Sequence, residues 1–186
     1  MSDRDRESRE AFVEAAIPHL RGLLRSAARL LGDAAAAEDA IQETFLRAWK
    51  SFHRFERGTN CRAWLYRILF IVLAQRRRSL ARQPKVVELE THAGAVARED
   101  APVPDVFTAT QVAAAFERLP QVYRDVVLLA DVEELTYREI ADALAIPLGT
   151  VMSRLNRGRR LLRTELRAIA EAYGLCEVQN CKRMGS

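Results

Sequence analysis

The chain has 186 residues, 49% of them hydrophobic and 29% charged, with a formal net charge of +4. This is the composition of a folded protein and not a disordered one, with room for one medium domain or two small ones. The charged N-terminus MSDRDRESREAF is unlike a secretory signal, the longest apolar run (residues 68–74) is too short to span a bilayer, and three cysteines are too few for a disulfide scaffold, so a cytoplasmic location with free thiols is expected.

Helical periodicity runs through most of the chain and strand alternation is nearly absent, which predicts an all-α fold. Phe12, Ala15, Ala16, His19, Leu20, Leu23, Leu24, Ala27 and Leu31 recur at helical spacing, and Gly32 ends that helix. Asp33 is placed to cap the next one. This second helix carries Ala37, Ala40, Ile41, Thr44, Phe45, Ala48, Trp49 and Phe52 on one stripe, and Glu38, Asp39, Gln42, Glu43, Arg47 and Lys50 on the other face. A polar turn with Gly58 follows. A third helix is predicted from about residue 61 to residue 78 or a little beyond, its middle apolar on nearly all sides and so buried. Residues 84–107 contain Pro84, Pro102, Pro104 and Gly94 and lack periodicity. They read as a flexible linker, too long for a connection inside one compact domain. Pattern resumes near Thr108, breaks at Pro120, and continues through Val122, Val126, Val127, Leu129 and Ala130. The expected organisation is therefore two small helical domains: an N-terminal helix bundle over 1–83 and a helix-turn-helix domain over 108–172, with a tail at 173–186.

The helix-turn-helix expectation rests on LTYREIADALAIPLGTVMSRLNRGRRLLR, residues 135–163. Thr136 with Glu139 three residues on forms a capping box, Ile140, Ala141 and Leu144 point inward, and Pro147 suits the first turn of the next helix. Two helices joined by so short a turn are the form used to enter the major groove. Rotation of about 100° per residue puts Val151, Leu155, Gly158 and Leu162 inward and Gly149, Ser153, Asn156, Arg157 and Arg160 outward. Arg157 can pair with a guanine edge, and Ser153 and Asn156 can reach bases or phosphates. Arg154, Arg159, Arg160 and Arg163 can neutralise phosphates.

Charge is blocked along the chain. It is all acidic over 33–43, all basic over 62–85, mainly acidic over 86–107, and all basic again over 154–163. Such blocks suit separate surfaces for separate partners.

Three phrases together carry a family resemblance. DAAAAEDAIQETFLRAWKSF resembles the polymerase-docking helix of bacterial sigma factors. FERGTNCRAWLYRIL resembles their promoter-opening loop and helix, and IPLGTVMSRLNRGRRLLR the DNA-reading domain of the extracytoplasmic-function (ECF) type. The match runs from about Phe12 to Arg167, and GTNCRAWLYRI with GTVMSRLNRGRR is similar to the thiol-oxidative-stress subgroup. The resemblance implies a promoter-specificity subunit that brings core RNA polymerase to −35 and −10 promoter DNA. It places Glu38, Asp39, Gln42 and Glu43 against the clamp helices of the largest polymerase subunit. Phe55, Arg57, Thr59, Asn60, Trp64, Arg67, Arg76, Arg77 and Arg78 then fall at the −10 element, where a base is flipped and the strands part. Thr150, Met152, Ser153, Arg154, Asn156, Arg157 and Arg160 fall at the −35 element, with their domain on the flap of the other large subunit. The linker acids Glu88, Glu90, Glu99, Asp100 and Asp105 suit a basic channel. An anti-sigma protein, zinc-containing in that subgroup, is the implied regulatory partner. Two positions depart from the family pattern: Ile71, where Asn is frequent, and Cys61, where an aliphatic residue is common.

The rival readings are a helix-turn-helix regulator that works without polymerase, and a metal or redox sensor built on Cys176 and Cys181. The first has no need of an acidic docking helix, and the second has a loose cysteine spacing for zinc. No phosphate loop, nucleophile elbow or acid–base pair stands in the sequence, so no catalytic residue, cofactor or metal is expected.

Overall fold

The computed structural model describes residues 3–56, 58–82 and 109–172. All regular structure among the described residues is helical: α1 (Asp3–Ala16), α2 (Leu20–Leu31), α3 (Ala34–Ser51), α4 (Cys61–Arg82), α5 (Ala109–Glu117), α6 (Gln121–Val127), α7 (Tyr137–Leu144) and α8 (Leu148–Ala172). The expected linker and tail, Arg57, Cys176 and Cys181 lie outside the described residues. The chain divides into two compact units, Met1–Ala95 with Arg138–Ile146, and Val96–Tyr137 with Pro147–Ser186.

In the first unit the stripe from Phe12 to Leu31 is not one helix. A 3₁₀ turn, Ile17–His19, separates α1 from α2. Pro18 sits in that turn, and a residue without an N–H cannot complete the α-helical ladder there. The other boundaries follow the sequence reading. Gly32 takes φ +69 and donates its N–H to the Ala28 carbonyl at 2.8 Å, ending α2 in the left-handed conformation that glycine adopts freely. The Asp33 carboxylate accepts the Ala35 N–H at 3.0 Å and starts α3.

Helices α2, α3 and α4 pack on one another. Ala37, Ala40 and Ala48 of α3 are fully buried, so α3 is thin on its inner side and its neighbours approach closely. Leu23 and Ala27 of α2 and Leu65, Tyr66, Leu69 and Leu73 of α4 complete the core. Its polar groups are paired: the Tyr66 hydroxyl donates to Ser26 Oγ at 3.0 Å, and Thr44 donates to the Ala40 carbonyl at 2.7 Å. Each such bond contributes about 1 kcal/mol net, and more is lost when one partner is left alone. Phe12 of α1 lies edge-on to Phe45, Trp49 and Phe52 with centroids 6.3, 5.3 and 5.2 Å away.

In the second unit α8 packs against α5 and α6. Helix α6 passes into a π turn, Leu128–Val132, which the periodicity does not reveal. Val126, Val127, Leu128 and Leu129 are buried there. Arg124 donates to the Leu119 carbonyl at 3.0 Å and also to the Glu117 carbonyl, satisfying the open C-terminal end of α5. Helix α7, whose residues from Arg138 onward group with the first unit, has Ile140 and Ala143 buried and Ala141 and Leu144 half-buried. The turn after α7 is tight: Ala145 holds φ +51, and the Ile146 N–H returns to the Ala141 carbonyl at 3.1 Å. Pro147 then opens α8, its carbonyl accepting the N–H groups of Thr150 and Val151 at 2.9 and 3.1 Å.

Candidate functional site

Helix α3 turns its apolar stripe inward, which leaves Glu38, Asp39 and Gln42 exposed and Glu43 half-buried. Arg47 donates to Glu43 at 2.6 Å, one helical turn apart. Asp39, Gln42 and Glu43 line a groove between α3 and α4, together with Leu46, Val72 and Arg76. The sequence reading groups Arg76 with Arg77 and Arg78 on a basic DNA side. In the structure its guanidinium turns back onto α3, donating to the Ala36 carbonyl at 2.5 Å and to Asp39 at 3.1 Å. Arg78 is exposed and Arg77 half-buried.

Apolar exposure marks this face as well. Leu46 and Trp49 are 47% and 42% exposed, a feature that helical periodicity alone does not predict. Trp49 belongs to the expected core stripe, and although Phe12 packs against its ring it stays exposed. Ile71 of α4 is 44% exposed in a stretch expected to be buried. An acidic face carrying large apolar side chains has the make-up of a protein-docking surface.

The second cluster is the loop before α4. Phe55 packs on Trp64 with centroids 4.9 Å apart and stacks on Phe52 at 5.7 Å. Both Phe55 and Trp64 remain half-buried, and Thr59 and Asn60 stand exposed beside them. Gly58, at φ +93, lets the loop turn, and the Thr59 hydroxyl donates to the Glu56 carbonyl at 2.7 Å. The Asn60 side-chain oxygen Oδ1 accepts the Ala63 N–H at 3.2 Å, capping α4. Arg67 is exposed on α4. Two aromatic rings beside the polar side chains of Thr59 and Asn60 supply what an unstacked base needs: a ring face and hydrogen-bonding groups.

Burial pushes the Cys61 thiol above the ordinary thiol range. That favours the inert thiol over the reactive thiolate.

The third cluster is α8. Val151 and Leu155 are buried, as the helical rotation predicts, and Gly158 is buried as well. Met152, Ser153, Asn156, Arg157 and Arg160 are exposed, while Thr150 and Arg154 are half-buried. The Ser153 hydroxyl donates to the Thr150 carbonyl at 3.1 Å. Arg159, expected among the phosphate-neutralising arginines, is bound by both oxygens of Asp131 in the π turn, with its Nε at 3.1 Å from one of them. That bond holds its guanidinium more firmly protonated. Among the described residues no group of histidine, cysteine and acidic side chains could hold a metal ion, and no helix is long and apolar enough to cross a membrane.

The order of these clusters matches known proteins. Sigma-70 region 2 matches residues 17–83 and sigma-70 region 4 matches residues 109–162. The ECF RNA polymerase sigma factor SigW of Bacillus subtilis is 33% identical over 150 residues, covering 75% of this chain and 80% of its own length. SigL of Mycobacterium tuberculosis is 34% identical over 180 residues, covering 88% and 97%. SigE of Mycolicibacterium smegmatis is 34% identical over 169 residues; 87% of this chain is matched, which spans 64% of that protein. Among solved structures, the sigma factor RpoE in complex with the anti-sigma factor NepR from Bartonella quintana superposes with a TM-score of 0.67 at 25% identity, covering 85% of this chain and 98% of that one. CnrH, solved with the cytosolic domain of CnrY, shares the fold at a TM-score of 0.59 and 24% identity, over 86% and 90% of the two chains. With both sigma-70 regions in order and ECF relatives matched over most of their lengths, the chain belongs to the ECF RNA polymerase sigma factors of the sigma-70 family.

Proposed function

We propose that this chain directs core RNA polymerase to its own set of promoters and opens them, as a cytoplasmic initiation factor without catalysis of its own. The observation that carries the reading is the pairing of unlike surfaces on one chain: an acidic and apolar face on α3, and basic, hydrogen-bonding faces on the α4 loop and α8. Glu38, Asp39, Gln42 and Glu43 dock on a basic coiled coil of the largest polymerase subunit, and Leu46 and Trp49 supply apolar area. Phe55, Thr59, Asn60 and Trp64 receive a base from the −10 strand, and Arg67, Arg77 and Arg78 hold its backbone. On the −35 duplex, Arg157, Ser153 and Asn156 reach base edges, and Arg154 and Arg160 neutralise phosphates.

Binding to core polymerase tests this reading. The wild-type chain binds core tightly, and a folded Glu38→Lys, Asp39→Lys, Glu43→Lys variant does not. A wild-type chain that binds duplex DNA but not core would be a polymerase-independent helix-turn-helix regulator instead.

An anti-sigma protein is the proposed regulator, supported by the likeness to RpoE, which was solved bound to one. The finer placement in the thiol-oxidative-stress group rests on the runs GTNCRAWLYRI and GTVMSRLNRGRR. It predicts that the partner co-purified with this chain contains zinc and lets go on treatment with a thiol oxidant. A zinc-free partner indifferent to oxidant contradicts that placement.

A further inference from the structure

Met152 is the odd residue on the outer side of α8. Its side chain is 49% exposed, while its neighbour Val151 is fully buried, so Met152 is not part of the core. Leu148, one turn earlier on the same side, is 42% exposed. Around them are Ser153, Asn156, Arg157 and Arg160, all exposed and all able to form hydrogen bonds. A thioether donates no hydrogen bond and accepts only weakly, so Met152 cannot read a polar base edge. A polar edge covered by it would lose water with no replacement. The major groove offers one apolar feature, the C5 methyl group of thymine.

We propose that Met152, backed by Leu148, reads a thymine methyl group in the −35 duplex. The inference rests on α8 being the −35 reader and adds the base feature that this position selects. The neighbouring arginines bring the helix onto the phosphates, and the flexible, polarisable Met side chain closes over the methyl. Specificity at that base pair then comes from apolar contact, with the hydrogen-bonded positions on either side fixing the register.

The test uses the complete chain bound to core polymerase and duplexes containing its −35 element, with each thymine replaced in turn by deoxyuridine. Removing the methyl at one or two positions should weaken wild-type binding about fourfold, the effect of burying one methyl-sized group. Met152→Ala should bind the thymine and deoxyuridine duplexes equally, and Met152→Leu should keep the preference. Wild-type binding indifferent to every replacement, or a preference that survives in Met152→Ala, overturns the proposal. Arg157→Ala in the same assay separates the two levels. If it weakens binding while deoxyuridine has no effect, α8 reads the duplex and Met152 does not read a methyl. If Arg157→Ala has no effect either, α8 is not the reader and both fall.

Discussion

Gly158 of α8 and Val127 of α6 are in such close contact that a Cβ built on Gly158 would stand 2.7 Å from Val127 Cγ2. The Tyr123 Cβ would be 3.2 Å away. Neither neighbour yields easily, since Val127 is β-branched in a helix and a Cβ moves only with its backbone. Alanine at a helix position ordinarily gains about 1 kcal/mol over glycine. Here overpacking costs about 1–3 kcal/mol and outweighs it. Gly158→Ala should therefore lower the thermal midpoint of the second unit, and adding Val127→Ala should recover part of the loss. A Gly158→Ala protein that melts higher than wild type contradicts this contact.

Arg76 should behave as a positioning residue of the docking face. Its bonds to Ala36 and Asp39 hold the start of α3 and the orientation of the Asp39 carboxylate. Because Asp39 is exposed and Arg76 only partly covered, solvent screens the pair and its contribution to folding is small, roughly 0–1 kcal/mol. Arg76→Ala should weaken binding to core polymerase severalfold while the assembled complex opens promoters at the wild-type rate. Arg77→Ala with Arg78→Ala should do the reverse. The two readouts, core affinity and strand opening followed by permanganate footprinting, separate these roles.

Arg159 faces Asp131, so it should not count among the phosphate contacts. Each neutralised phosphate contributes close to one unit to the slope of log affinity against log salt. Arg160→Ala should lower that slope by about one for −35 duplex binding. Arg159→Ala should leave it unchanged, and Asp131→Asn should raise it by freeing the arginine.

Cys61 should react slowly with thiol reagents at neutral pH. Its proton is held past the usual thiol range by burial, so the folded chain keeps a proton that the unfolded chain releases. With more protons bound in the folded state, stability falls as pH rises above about 8.5, the ordinary thiol value, and continues to fall until the folded thiol ionises. Cys61→Ala should remove this alkaline loss and leave promoter opening intact. Alkylation rates from pH 7 to 10, native against urea-unfolded, provide the check.

Local signals suffice for the end of α2, the starts of α3 and α8, and the two sides of α8. Gly32 and Pro147 act through their own backbones and Asp33 through a side chain that reaches only two residues on, and the buried and exposed sides of α8 follow from rotation alone. The break at Pro18 is local too, but a continuous apolar stripe runs across it, and several of the other features that escaped depend on partners distant in sequence. Arg76 and Arg159 look like other arginines until Asp39 and Asp131 are brought opposite them. Trp49 and Ile71 sit on apolar stripes, and only the packed helices show that their neighbours leave them partly exposed. The π turn at Leu128–Val132 adds a residue per turn without changing composition, so periodicity passes over it.

Transcription in vitro decides whether this chain directs core polymerase to promoters. Core polymerase transcribes fragmented genomic DNA from the source organism with and without this chain, and the RNA 5′ ends are mapped. A set of start sites should require the chain, share two spaced upstream elements, and disappear with the Glu38→Lys, Asp39→Lys, Glu43→Lys variant. An unchanged set of start sites, from a chain that nonetheless binds duplex DNA by itself, would contradict it.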